Sequence, residues 1–147
     1  MPRGARRLPD ACVEVLARAD VILHTGDFTA AAVLEELGAF APVHAVCGNM
    51  DEWPLRETLP ERLVVEAEGL RIGMVHDPGP AAGRPARLRT WFPGCGVVAY
   101  GHTHVPEVVS DGGLWIVNPG SPTERRRAPA HTMAVIQGGT PELVTLA

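Results

Sequence analysis

Short apolar runs that stop at glycine-bearing polar islands set the rhythm of this chain. Val21-Ile22-Leu23-His24 ends at Thr25-Gly26-Asp27, Val43-His44-Ala45-Val46-Cys47 ends at Gly48-Asn49, and Val97-Val98-Ala99-Tyr100 ends at Gly101-His102. Apolar runs this short, bounded by turn residues, predict strands buried on both faces. Helical patterns lie between them. Pro9 to Ala19 carries an apolar stripe at Val13, Leu16 and Ala17, with Pro9 suited to the first turn and Asp10 to the dipole there. Thr29 is placed to cap a helix from Ala30 to Leu37, and Ala81 to Trp91 predicts another whose start Gly83 and Pro85 weaken.

Beyond Asn49 the pattern turns to hairpins. Leu63 to Ala67 and Arg71 to His76 flank Glu68-Gly69-Leu70; Pro106 to Val109 and Leu114 to Val117 flank Asp111-Gly112-Gly113; Thr132 to Ile136 and Glu142 to Leu146 flank Gly138-Gly139. Strand–helix alternation followed by hairpins predicts two stacked sheets with helices outside, a mixed α/β layered domain. There is no internal repeat, low-complexity tract or linker, so residues 1–147 are read as a single domain.

Composition narrows the function classes. A chain of 147 residues with 46% hydrophobic and 20% charged residues has an ordinary globular balance and can bury a sizeable core. The net charge of −4 removes a basic footprint for nucleic acid and suits a cation-binding protein. Cys12, Cys47 and Cys95 are odd in number and form no Cys-x-x-Cys, which argues against a disulfide framework and a zinc ribbon. They read as small apolar residues in a reducing cytoplasm. No apolar run has the length of a membrane span, and the basic start Met1 to Arg7 lacks the apolar stretch of a secretory leader.

The polar islands carry the chemistry. Ligands in open α/β sheets collect at the carboxyl ends of strands, so Asp27, Asn49 and His102 are expected to converge. His76 closes a fourth strand ahead of Asp77-Pro78-Gly79-Pro80. Gly101-His102-Thr103-His104 is the sharpest signal: in an extended segment residues two apart point to the same side, so both imidazoles could reach one ion or two neighbouring ones. Imidazole nitrogen with carboxylate oxygen fits manganese, iron, zinc or nickel better than calcium. Each island also has a plain reading: Asp27 and Asn49 as turn or capping residues, His76 as a loop histidine, His102 and His104 as surface residues at a strand end. Structural roles are expected for His24, His44 and His131. Glu124-Arg125-Arg126-Arg127 could meet a phosphate but reads better as a solvated loop.

Taken in order, Gly26-Asp27, Gly48-Asn49-Met50-Asp51, Ile72-Gly73-Met74-Val75-His76, Gly101-His102-Thr103-His104 and Asn118-Pro119-Gly120-Ser121 resemble the calcineurin-like metallophosphoesterases, in particular the small YfcE-type phosphodiesterases. The resemblance implies a four-layer α-β-β-α sandwich and a two-metal site. In it Asp27 would bridge both ions, Asn49, His76 and His102 would complete one shell, and His104 would join the other. Asp51 would orient a ligand or water. Two cations sharing a water would lower its pKa and clamp the phosphate oxygens for in-line attack by hydroxide. The implied activity is hydrolysis of small phosphodiesters or nucleotides, with manganese the favoured ion and nickel, zinc or iron(II) the alternatives.

Two departures qualify this. Met50 stands where many relatives have a histidine that serves as candidate general acid. The opening strand that ends in Asp-x-His is missing, and no Asp-x-His occurs anywhere. A second cation would keep only Asp27 and His104, so low or no phosphodiesterase activity is expected for the chain as written, with one metal bound. The edge of Val21 to His24 would then stand unpaired and invite self-association or partner binding. Either the start is assigned too late, at an internal methionine, or the chain is truly short. The competing reading is a non-catalytic protein-interaction module on the same scaffold.

Overall fold

The structure is a computed structural model that describes residues 8–27, 31–49, 51, 53–124, 126 and 128–146. In chain order the elements are α1 (Asp10–Leu16), β1 (Ile22–His24), α2 (Ala31–Gly38), β2 (Val43–Ala45), α3 (Trp53–Thr58), β3 (Arg62–Ala67), β4 (Leu70–Val75), α4 (Arg84–Trp91), β5 (Val97–Tyr100), β6 (Glu107–Asp111), β7 (Leu114–Asn118), β8 (His131–Gln137) and β9 (Thr140–Leu146). Every expected strand and hairpin is present. One helix was not expected: α3, whose six residues make too few turns to display a period. Pro9 sits just outside α1 as its cap, and the buried stripe of that helix is Cys12 and Leu16, an i,i+4 pair. The helix α4 begins only after Gly83, which adopts a left-handed conformation at φ 71°.

β4, β5 and β7 run parallel at the centre of a five-stranded sheet of order β3-β4-β5-β7-β6, and hairpins add β3 and β6 antiparallel at the edges. β1 and β2 form a parallel pair, and β8 and β9 an antiparallel pair. Strand alternation sorts the side chains into layers. On β5, Val97 points into a cluster with Val46, Met74 and Val117, whereas Val98 and Tyr100 pack with Leu88 and Phe92 of the α4 segment. On the smaller sheets, Ile22 and Leu146 share a cluster with Leu16 of α1 and Leu37 of α2. Leu23, Ala134 and Ile136 face the five-stranded sheet instead. β1–β2 and β8–β9 therefore lie in one layer between α1/α2 and the large sheet, and α4 covers the far side. This is the α-β-β-α order expected.

Some expectations fail locally. His44 is exposed on β2 rather than built into the structure, so that strand is not buried on both faces. The cysteines are free, Cys12 fully buried and the other two partly so. Among the described residues no helix is long and apolar enough to cross a membrane. The expected cap at Thr29, the basic start Met1 to Arg7, Met50, Arg125 and Arg127 lie outside the described residues.

Candidate metal centre

The carboxyl ends of β1, β2, β4 and β5 meet at one point. His76 follows β4 and is buried. Its Nδ1–H donates to the Thr25 carbonyl at 2.7 Å, which fixes the ring and leaves Nε2 to face the centre. Around that nitrogen stand Asn49 Oδ1 at 2.8 Å, Asp27 Oδ2 at 3.3 Å and His102 Nδ1 at 3.4 Å. The His76 and His102 rings meet edge to face, their centroids 5.2 Å apart. With Nδ1 committed as a donor, the neutral ring turns a lone pair toward two oxygens. A cation among them would satisfy all of these lone pairs at once.

The spacing suits a cation. Donors bound to one ion at about 2.0–2.2 Å stand about 2.8–3.6 Å from each other, from octahedral to tetrahedral edges. All three separations fall in that range. One carboxylate, one amide oxygen and two imidazoles form a mixed nitrogen–oxygen set of the kind that takes a first-row divalent ion. Among the described residues no group of three or more histidine, cysteine, aspartate and glutamate side chains is arranged, as it stands, to hold an ion. The convergence depends on Asn49.

The backbone around the centre is strained and tightly packed. Asp27, His102 and His104 adopt left-handed conformations, at φ 62°, 70° and 62°. Such residues cost of order 1–3 kcal/mol each and persist only where the surroundings enforce them. Gly48 is buried against Asp27: a Cβ there would lie 2.2 Å from the Asp27 amide nitrogen and 2.3 Å from Oδ1. Asp51, also buried, accepts a 2.6 Å hydrogen bond from the Gly48 amide and closes the turn that carries Asn49.

The left-handed residues overturn one sequence argument. The segment from His102 to His104 is not extended; Thr103 N–H donates to the Gly101 carbonyl at 2.8 Å in a tight turn. His102 meets His76, whereas His104 is tied to the 121–126 loop, its Nδ1–H donating to the Glu124 carbonyl at 2.6 Å. Burial, and after it the Arg126 guanidinium, hold the His104 ring below the usual imidazole range. His24 takes the structural part expected of it, accepting from the Gly26 amide at 3.1 Å, and burial holds its ring well below the usual range.

Two supporting residues stand out. Asn118, fully buried, donates to the Gly101 carbonyl at 3.3 Å and to Thr103 Oγ1 at 3.0 Å, and accepts from Gly120 N–H at 2.9 Å. It braces the segment that presents both histidines. Arg126 donates from Nη1 to the His102 carbonyl at 3.0 Å, which places a guanidinium at the rim. Its only signal in the sequence was the arginine run itself.

Residues 4–140 match the model of the calcineurin-like phosphoesterase superfamily domain. The chain belongs to that family. Membership implies the use of a divalent metal on a phosphoester. A probable metallophosphoesterase of Methanothermobacter thermautotrophicus is 34% identical over 137 residues, 92% of this chain and 79% of that protein. Two solved structures extend the likeness in fold. The zinc complex of Vps29 from Entamoeba histolytica matches with a TM-score of 0.75 at 22% identity, over 99% of this chain and 93% of that one. An archaeal phosphodiesterase matches with a TM-score of 0.72 at 19% identity, over 93% and 90% of the two chains.

Proposed function

We propose that this calcineurin-like phosphoesterase is a metal-dependent phosphodiesterase that hydrolyses small phosphodiesters or nucleotides with a metal-activated water. Residues 1–147 serve as one domain, in a reducing cytoplasm that leaves the three thiols free. The single observation that carries the reading is the convergence of Asp27, Asn49 and His102 on the outward nitrogen of His76. Those four residues hold the first ion. His104, whose Nδ1 is occupied by the Glu124 carbonyl, offers Nε2 to a second. Manganese is the proposed ion. Divalent ions held there would lower the pKa of a bound water and offset charge on the phosphate. The protein's part is to fix the ligand geometry: Thr25 sets the His76 tautomer, Asp51 holds the turn of Asn49, and Asn118 holds the turn of His102.

The 147 residues contain no Asp-x-His. The second ion is therefore held weakly and turnover of this chain is low. Calorimetric titration of manganese, with hydrolysis of bis(p-nitrophenyl) phosphate, tests the proposal. One firm site and slow, manganese-dependent hydrolysis, both lost in Asp27→Asn and His76→Gln, are expected. Wild-type protein that binds no divalent ion, or the two variants binding as wild type does, would refute it.

A second reading has one observation in its favour. Among the described residues β1 and β2 form a sheet of two strands, and a strand of another copy or of a partner protein would extend it. Sizing at rising concentration tests the homo-oligomer.

A further inference from the structure

We propose that Arg126 grips a non-bridging oxygen of the substrate phosphate; this rests on the metal-centre reading above. Three observations place it there. Its Nη1 donates to the His102 carbonyl at 3.0 Å, so the guanidinium is anchored on a residue of the centre while its side chain stays exposed. The same stretch of chain supplies the Glu124 carbonyl that accepts the His104 N–H at 2.6 Å. The Arg126 backbone stands at φ 47°, a left-handed conformation unfavourable for arginine. The described residues ahead of it, 121 to 124, are tied down. Ser121 Oγ accepts from the amides of Thr123 at 3.3 Å and Glu124 at 3.0 Å, and the Glu124 carbonyl takes the His104 N–H.

The chemistry follows from the fork. A guanidinium has five N–H donors in one plane, and a single bond to a carbonyl leaves others facing solvent at the mouth. Such a fork matches phosphate or carboxylate, and in a phosphoesterase the anion at the mouth is phosphate. The need is electrostatic as well. The centre carries the carboxylates of Asp27 and Asp51, both buried, and the whole chain has a net charge of −4. Without a bound ion that surround would repel an anionic substrate, and a fixed cation at the rim offsets the repulsion; with ions bound, the guanidinium would add to the positive charge they bring. The alternative is that Arg126 only clips the His102 turn in place.

The test uses wild type, Arg126→Gln and Arg126→Lys, each titrated calorimetrically with manganese and then, metal-free and manganese-loaded, with inorganic phosphate. Arg126→Gln is expected to weaken phosphate about tenfold or more, as loss of a charge-assisted bond does, with manganese affinity within about twofold of wild type. Arg126→Lys is expected to recover only part of the loss, because an ammonium is a point charge without the fork. Equal phosphate affinity in wild type and Arg126→Gln overturns the proposal. So does joint loss of manganese and phosphate, the mark of a structural clip, and so does a wild type that binds phosphate in neither form. A wild type that binds phosphate through Arg126 but takes up no manganese would overturn the metal-centre reading and leave the arginine standing.

Discussion

Gly48→Ala puts one methyl group into the tightest contact of the centre. The added Cβ would stand 2.2 Å from the Asp27 amide nitrogen, 2.3 Å from its Oδ1 and 2.9 Å from its Cγ. The nearest of these atoms is backbone, so no rotamer change relieves the clash. Restoring an ordinary contact needs a shift of about 1 Å, and overpacking of this kind costs about 1–3 kcal/mol. For a domain of this size that is a fall in Tm of about 2–12 °C. The shift also moves a metal ligand: Asp27 Oδ2 stands 3.3 Å from His76 Nε2, and about 1 Å more breaks the spacing that one ion can span. Manganese affinity should fall by at least about tenfold. Gly38→Ala is the matched control, because nothing lies within 4 Å of a Cβ there and the site closes a helix; alanine should leave it unchanged or raise stability by up to about 1 kcal/mol. Thermal melts followed by circular dichroism, with calorimetric titration of manganese, read both effects. A Gly48→Ala protein with wild-type Tm and wild-type manganese affinity would refute the reasoning.

Three further predictions are cheaper to test. Asn118→Ala strips partners from the Gly101 carbonyl, the Thr103 hydroxyl and the Gly120 amide, so about 3 kcal/mol of stability should be lost in urea melts, at about 1 kcal/mol per bond. Gly73→Ala drives a Cβ to 2.6 Å from the Phe92 ring, so α4 must shift on the large sheet and Tm should fall while manganese binding, on the far side of that contact, changes little. Metal-free protein should lose stability as pH drops below about 6.5. His24 and His104 both have depressed folded pKa values, so their stabilising effect is fully present above the unfolded value and fades as the unfolded chain takes up protons first. The limiting slope for His24 is about 1.4 kcal/mol per pH unit, and urea midpoints flat between pH 7.5 and 5.5 would contradict it.

The strands and hairpins were legible because each is a run of apolar residues closed by glycine or a turn, and that pattern survives in any tertiary context. The helix α3 was not, since Trp53-Pro54-Leu55-Arg56-Glu57-Thr58 is too short to show a period. Asp27, Asn49, His76 and His102 were found by position at strand ends, and the fold brings them together. The course of His104 was not legible. The extended reading of its segment required ordinary φ values, and the left-handed turns at His102 and His104 are imposed from outside by Asn118 and the 121–126 loop. Arg126 was dismissed as solvated because no pattern in one dimension reports that a distant arginine folds back onto a histidine carbonyl. His44 shows the converse error: a histidine inside an apolar run looked built in, yet β2 presents it to solvent.

The four side chains of the centre arrive from two different layers. Asp27 and Asn49 hang from the ends of β1 and β2, His76 and His102 from the ends of β4 and β5. An ion gripped by all four would act as a rivet through the sandwich, joining sheets that meet there by apolar packing and by the hydrogen bond from His76 to the Thr25 carbonyl. By linkage, each tenfold gain in affinity for the ion adds about 1.4 kcal/mol to the adhesion of the two layers. Sliding of one sheet over the other and escape of the ion would then be one motion, and chelation should loosen the β1–β2 edge well before the large sheet gives way.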